Sequence, residues 1–428
     1  MKEKWKAVVC VAVLTVLVMV TVDTKAADEA NTWNQGETQV YAEGAFTYYI
    51  HPSQNGEEAW VYKIEIQGKK GRDLSIPETI LGKKVTRLGC PERGSVEEEL
   101  DEAFATLFGT YIEPWHEWVW DGYGTYAAVG KLKSIQIPDT VEAIDRAAFA
   151  GLNSVKIIKL PKKLKKIEDF IFYECDKLET VILPEQMESF ENSSLMDCPA
   201  LKSIKLSKKN KQFKVKKNCL IRKKDKALIV AAARGKKFSI PNGIKTITSY
   251  SFRSASCSVV HIPASVTKIE KKAFDRYDLY KNPNIRDVTI SKKNPVFTRD
   301  GQCIYKKSDK SLAVAISDNK RELRISERVK KLPLDISVVV VVTELGGYLE
   351  KVVYPSGLKR VTAPGVRELD ARNVYFTGSV PPKIVSRYGK RLPIGHIYVP
   401  KAYADVYKAW YKQNNYYDMV DGWHTYNP

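Results

Sequence analysis

Residues 132–154 read LKSIQIPDTVEAIDRAAFAGLNS, residues 155–177 VKIIKLPKKLKKIEDFIFYECDK, and residues 178–200 LETVILPEQMESFENSSLMDCPA. Laid over one another they keep three registers at a 23-residue step. Leu132, Val155, Leu178 and Leu201 open successive units. Pro138, Pro161 and Pro184 share a second register, which Ser207 continues, and Phe149, Phe172 and Leu195 share a third. A fixed period of this length marks a solenoid, whose units bury their apolar sides only against their neighbours.

The chemistry of one unit predicts its shape. Ile135 and Ile137 alternate with Ser134 and Gln136, the period of a half-buried strand. Pro138 ends that strand, because proline cannot donate to a ladder. Val141 and Ile144 form a second apolar pair, in a short strand or turn. Ala148-Phe149 begins a tight helical turn with Phe149 inside.

Working outward, FSIPNGIKTITSYSF (238–252) and VVHIPASVTKIEKKAF (259–274) are two further copies, and LSIPETILGKKVTRLG (74–89) is an earlier, interrupted one. A longer repeat overlies these. Phe213, Cys219, Asp225 and Leu228 recur 84 residues later as Phe297, Cys303, Asp309 and Leu312. Their alternation predicts a β-hairpin in each segment, turning near Lys223–Lys226 and Lys307–Lys310 and interrupting or extending the stack.

The first residues read as a secretory signal, with Lys2, Lys4 and Lys6 before the apolar run Ala7 to Val22 and a cut expected after Ala26. An uncleaved anchor is the alternative. The run falls short of the roughly 20 residues of a membrane span, and no later stretch is long enough. Removing 1–26, with four lysines against Glu3 and Asp23, lowers the net charge from +19 to +17. Such a charge favours anionic polymers or surfaces. Nucleic acid is a poor partner for an exported chain. Solvated lysine-rich faces are the plain alternative.

The composite pattern L-x-x-I-x-I-P-x-x-V-x-x-I-x-x-x-A-F-x-x-C is carried by 132–206 and 238–290, and more weakly by 74–89 and 320–362. It resembles the BspA-like leucine-rich repeat of bacterial surface and secreted proteins. The resemblance implies an α+β, strand-dominated leucine-rich-repeat solenoid with β-hairpin insertions and a C-terminal cap. It also implies an adhesion or protein-interaction role, although a fold does not fix a function. FTGSVPP (376–382) and IYVPKAYADVYKAWY (397–411) resemble the segment that closes such arrays, with a capping helix expected from Ala402 to Trp410. The chain then divides into signal 1–26, N-terminal β segment 27–68 with strands around Phe46–Ile66, repeat array 69–365, and capping region 366–428. An aromatic insertion, 90–131, and hairpins 208–237 and 292–320 break the array.

Two surfaces are candidate sites. Lys133, Lys156, Lys159, Lys202 and Lys205 fall on the open side of the first strands, a spaced cation array suited to many weak contacts. Lysines there also solubilise a sheet and discourage edge pairing. The insertion holds Trp115, Trp118, Trp120 and Tyr123, rings suited to sugar faces or protein anchors, or to plugging the solenoid end. Cys175 and Cys198 share a register near enough for a disulfide, whereas the resemblance implies a small buried packing residue. No Cys-x-x-Cys pair occurs, and no two of His51, His116, His261, His396 and His424 lie three or four residues apart. Without a Gly-x-Ser-x-Gly elbow or phosphate loop, neither catalysis nor a cofactor or metal is expected. The expected protein is therefore a secreted or cell-surface binding module for a protein, an anionic polysaccharide or a cell-wall polymer. The alternatives are a structural envelope component without a discrete ligand, and a carbohydrate-active enzyme or carbohydrate-binding protein using the aromatic insertion.

Overall fold

The computed structural model describes residues 38–53, 56–67, 72–89, 104–105, 107–108, 111–112, 132–274, 285–333, 337–339, 349–361, 371–384, 395–414 and 422–427. The signal segment lies outside these residues, as does most of 90–131.

Each regular unit gives one strand before its proline and a two-residue strand after it. Ile157–Lys159, Thr180–Ile182 and Ser203–Lys205 pair in parallel, with Ile158, Val181 and Ile204 in register. Lys166–Ile167 and Ser189–Phe190 pair likewise behind the turn. Strands this short have no stability of their own, so each unit's backbone groups are satisfied by the next. The turn between them is the same in every unit. The N–H of Val141 donates to Pro138 O, that of Leu164 to Pro161 O, and that of Met187 to Pro184 O, at 3.1–3.3 Å. Ser207 and Ser291 keep this bond, through Asn210 and Asn294 at 3.1 and 2.9 Å. Serine substitutes for proline because its hydroxyl accepts the N–H of Lys209 (3.2 Å), a local bond that bends the chain by another route.

The expected helical turn is instead a run of tight turns that includes a residue in the left-handed region. Ala147, Phe170, Tyr250 and Lys272 have φ of 56°, 55°, 61° and 57°. Each stands two positions before the interior aromatic, so that the turn points that ring inward. Phe149 stacks on Phe172 at 6.0 Å and Phe252 on Phe274 at 5.1 Å. Such φ values cost non-glycine residues about 1–3 kcal/mol each. Bonds between units hold them there, as from Phe149 N–H to Ile171 O (3.0 Å) and Phe172 N–H to Ser194 O (3.0 Å).

The two segments 84 residues apart each form a three-stranded meander where one hairpin was expected. The strands are Phe213–Lys216, Cys219–Arg222 and Ala227–Ala231, then Phe297–Asp300, Cys303–Lys306 and Leu312–Ile316. The additional turns are Lys217–Asn218, with φ of 50° and 55°, and Gly301–Gln302, with Gly301 at 55°. Two successive positive φ values match the twist of a tight hairpin. Ala227–Ala231 then pairs in parallel with Thr246–Ile247, which pairs with Lys268–Ile269. The meander therefore extends the second-strand ladder.

Asn210 and Asn294, buried at the branch points, make this detour possible. Asn210 donates to Glu185 O and Met187 O (both 2.8 Å) and accepts from the N–H of Gln212 and Phe213. Asn294 repeats the pattern with Pro263 O, Val266 O and the N–H of Val296 and Phe297. Lys223 and Lys307 each donate to the backbone oxygen of the matching asparagine at 2.6 Å. Past the first meander, the interior turns meet again through a buried pair, Arg253 to Asp197 at 2.9 Å, and through Ser254, whose hydroxyl donates to Leu195 O.

The ends differ from the middle. Gln39–Glu43, Phe46–Pro52 and Glu58–Ile66 form an antiparallel sheet that adds Lys83–Leu88, which pairs with Ala143–Ile144. At the other end, Glu322–Arg324, Leu349–Tyr354, Ala371–Phe376, His396–Pro400 and Gly422–Tyr426 pair in parallel. Ladder strands thus run through the capping region itself. Closure comes from helix Ala404–Asn414, preceded by a 3-10 turn at Lys401–Tyr403. It buries Tyr407, Trp410 and Tyr411, with the Trp410 indole donating to Pro382 O at 2.7 Å.

The five described cysteines are buried thiols. Cys175 and Cys198 are not bridged; their thiols donate to Phe149 O (3.2 Å) and Phe172 O (3.0 Å), one unit back. Burial pushes the Cys198 thiol well up, Cys219 to about 12 and Cys303 to about 11, so thiolate is scarce at neutral pH. These thiols are expected to be alkylated by a maleimide only after denaturation, with an unreduced mass showing no bridge among them. Replacing Asn294 with Ala strands Val266 O and the N–H groups of Val296 and Phe297, and is expected to lower stability by about 2–4 kcal/mol. The urea midpoint measures it, and an unchanged midpoint would refute the branch-point role.

Candidate functional site

The structure puts Lys133, Lys156, Lys159, Lys202 and Lys205 on the open side of the first strands, all exposed. Their placement follows from the pleat. Leu132, Ile135, Val155, Ile158, Leu201 and Ile204 take the inward positions, which leaves the lysines outward. Lys159, Ile182 and Lys205 are directly in register, as are Ile157, Thr180 and Ser203. Lys159 and Lys205 are therefore two rungs apart, about 9–10 Å. Ile157 is 57% exposed among them, with the hydroxyls of Thr180 and Ser203 alongside.

Pairing divides the lysines. On the turn and second strand, Lys162 meets Asp139 at 2.6 Å, Lys163 meets Glu142 at 2.8 Å, Lys165 meets Glu188 at 3.5 Å and Lys166 meets Glu168 at 2.9 Å. On the open face, Lys202 meets Glu179 at 2.5 Å. Among the described residues, Lys133, Lys156, Lys159 and Lys205 have no carboxylate within ion-pair distance. The bond from Lys202 holds the Glu179 carboxyl below the usual range, with Lys156 and Arg234 adding to it. One of the five lysines is thus largely neutralised by Glu179, which occupies the Lys133 position of its own unit. Exposed pairs of this kind add little to stability, so they shape the surface field more.

The basic track continues where sequence comparison alone did not follow it. Lys236 precedes Pro241 by the same count as Lys156 precedes Pro161. Its strand, Arg234–Ser239, is tied to the fourth unit by a bond from Arg234 Nε to Leu201 O at 3.0 Å. Counting back from the proline would have found it. Trp115, Trp118, Trp120 and Tyr123 lie outside the described residues.

Two hollows, one lined by Gln302, Asp318, Glu322, Arg324 and Lys351 and one by Arg146, Asp169, Glu191 and Tyr250, measure about 260 and 200 Å³. Both are below the roughly 300–1,000 Å³ of ligand clefts. Among the described residues, no three His, Cys, Asp or Glu side chains converge as metal ligands. No helix there is long and apolar enough to cross a membrane.

Parallel ladders, recurrent turns and stacked interior aromatics define a leucine-rich-repeat solenoid that presents an open strand face. Residues 122–223 and 232–309 match the BspA type leucine rich repeat region in six copies. No curated protein matches the chain. Similar solved structures include a leucine rich cell surface protein from Faecalibacterium prausnitzii (14% identity, 91% of this chain and 95% of that one, TM-score 0.34). The pneumococcal vaccine antigen PcpA (14%, 92% and 100%, 0.35) and a leucine-rich repeat protein from Eubacterium ventriosum (15%, 63% and 73%, 0.31) are others.

If Glu179 masks Lys202, Glu179→Gln should elute from a cation exchanger at higher salt than Glu142→Gln, which removes the same charge from the other side of the unit. Equal elution of the two variants would refute the masking.

Proposed function

We propose that this protein is a non-catalytic, cell-surface or secreted module that binds an anionic polysaccharide or cell-wall polymer along its first-strand face. The carrying observation is the contrast in pairing. In the unit 155–177 the lysines of the turn and second strand, Lys162, Lys163, Lys165 and Lys166, are matched by carboxylates, whereas Lys133, Lys156, Lys159 and Lys205 of the first-strand face are unmatched. An unmatched row on a rigid ladder fixes its charges at multiples of the rung spacing. Charges two rungs apart, about 9–10 Å, suit a polymer bearing one anion per disaccharide. Ile157 and Ile182 offer apolar contact to a sugar face, and Thr180 and Ser203 offer hydroxyls. Each contact is weak, and their number along one chain supplies the avidity.

The apolar run Ala7–Val22 supports export, and the family supports a surface role. In the sequence, the absence of a Gly-x-Ser-x-Gly elbow, a phosphate loop and a helically spaced histidine pair supports binding over catalysis.

The test is retention on heparin and teichoic-acid resins. Changing Lys133, Lys156, Lys159, Lys202 and Lys205 to Glu is expected to abolish retention at physiological salt. A charge-matched control, with Lys208, Lys209, Lys211, Lys214 and Lys216 changed to Glu, is expected to keep most of it. Equal loss in both variants would reduce the effect to net charge and overturn the proposal.

A further inference from the structure

The sequence holds five histidines, and the fold brings two of them together from 28 positions apart. His396 opens strand His396–Pro400, and His424 lies in Gly422–Tyr426, the last strand of the ladder. The register sets His396 opposite Gly422 and Tyr398 opposite His424. With no side chain at Gly422, the His424 ring reaches diagonally across it. Its Nε2 then stands 3.1 Å from Nδ1 of His396.

We propose that His396 and His424 form a two-imidazole site for a divalent transition-metal ion of the zinc, nickel and copper class. The distance suits it. An ion about 2.0–2.1 Å from each nitrogen, with an angle of about 90–110° between them, sets the nitrogens about 2.9–3.4 Å apart. The space beside them is kept open by the glycine. A Cβ at Gly422 would lie 3.0 Å from His396 Nδ1 and 3.1 Å from His424 Nε2, in the volume an ion would need. The rings are held in place: His424 stacks on Tyr398 at 4.6 Å and 20°, and Tyr398 on Tyr375 at 4.2 Å and 5°. The nearest cation of this column, Lys351, is two rungs from His396, and its ammonium lies over the Tyr375 ring at 4.7 Å. Imidazole nitrogens select this class of ion over calcium or magnesium, which prefer oxygen ligands. Two protein ligands leave further positions for water or an outside donor. Since the two strands are neighbours, a bound ion staples the terminal strand to the array. The site does not depend on polymer binding by the lysine face.

The plain alternative is a hydrogen bond between neutral imidazoles, and the experiment separates the two. Untagged full-length protein is titrated calorimetrically with zinc chloride at neutral pH. One ion is expected per His396–His424 pair, and binding should fall on acidification because ligating imidazoles must be deprotonated. His396→Ala and His424→Gln should each lose this binding, the second although glutamine retains donor and acceptor atoms. Gly422→Ala should weaken it at least about tenfold, the scale on which support of a metal ligand is felt. His261→Ala, which removes an imidazole bonded to Thr289, should leave it unchanged. Hydrogen exchange in 422–426 should slow on zinc addition in the wild type alone. Absence of saturable binding, or equal binding by the wild type and both histidine variants, overturns the site.

Discussion

A strand of two or three residues cannot satisfy its own backbone, and this governs the whole architecture. Every N–H and C=O of the short strands must find its partner in the adjoining unit, which forces the units to share a turn, a register and an interior ring position. Proline or serine supplies the turn. The inward Phe column fills the space the turn encloses. The left-handed residue before it is strained in isolation and held by bonds from the neighbouring unit. Any departure from the period has to return the chain with its hydrogen bonds accounted for. Asn210 and Asn294 do this by bonding four backbone groups each, and Arg253 with Asp197 rejoins the interior turns beyond the first detour.

Much of this was readable from residue spacing, since a solenoid turns sequence period directly into spatial neighbourhood. Leu132, Pro138 and Phe149 each stand for a column, and the columns exist. What escaped was whatever lies between columns or outside the pattern. The additional strand of the first meander depends on Lys217–Asn218, whose positive φ values lack the glycine that usually signals such a turn. Asn210 and Asn294 do obey the 84-residue step, but as single polar residues in lysine-rich stretches they looked like loop. The partnership of His396 with His424 needs the register of the last two strands, which follow no motif. The pairing of Lys202 with Glu179 needed only the alignment already in hand: Glu179 occupies a lysine register, so the break in charge was visible before its consequence was.

The open face and the interior answer to different demands. Inside, size and shape are fixed, and even Cys175 and Cys198 serve as small packing groups whose thiols bond one unit back. Outside, nothing in the packing dictates residue type, so the outward positions of the first strands are free to carry charge, hydroxyl or aromatic groups. They do so in sequence along the ladder. Lysines dominate the regular units, and tyrosine and histidine dominate Ala371–Phe376, His396–Pro400 and Gly422–Tyr426. One scaffold thereby displays two chemically distinct tracts.

The same rung-by-rung bonding has a mechanical side. Tension drawn between the two ends of the array loads its strands across the ladder, so bonds part at one rung at a time, as in a zipper, and never all together. Each regular 23-residue unit released would add about 80 Å of extended chain, while its neighbours keep their own contacts. With no disulfide among the described cysteines to arrest it, the buried Arg253–Asp197 pair is one catch along the way. A protein built like this, held between two attachments, would yield by paying out length under load and would rewind when the load is removed.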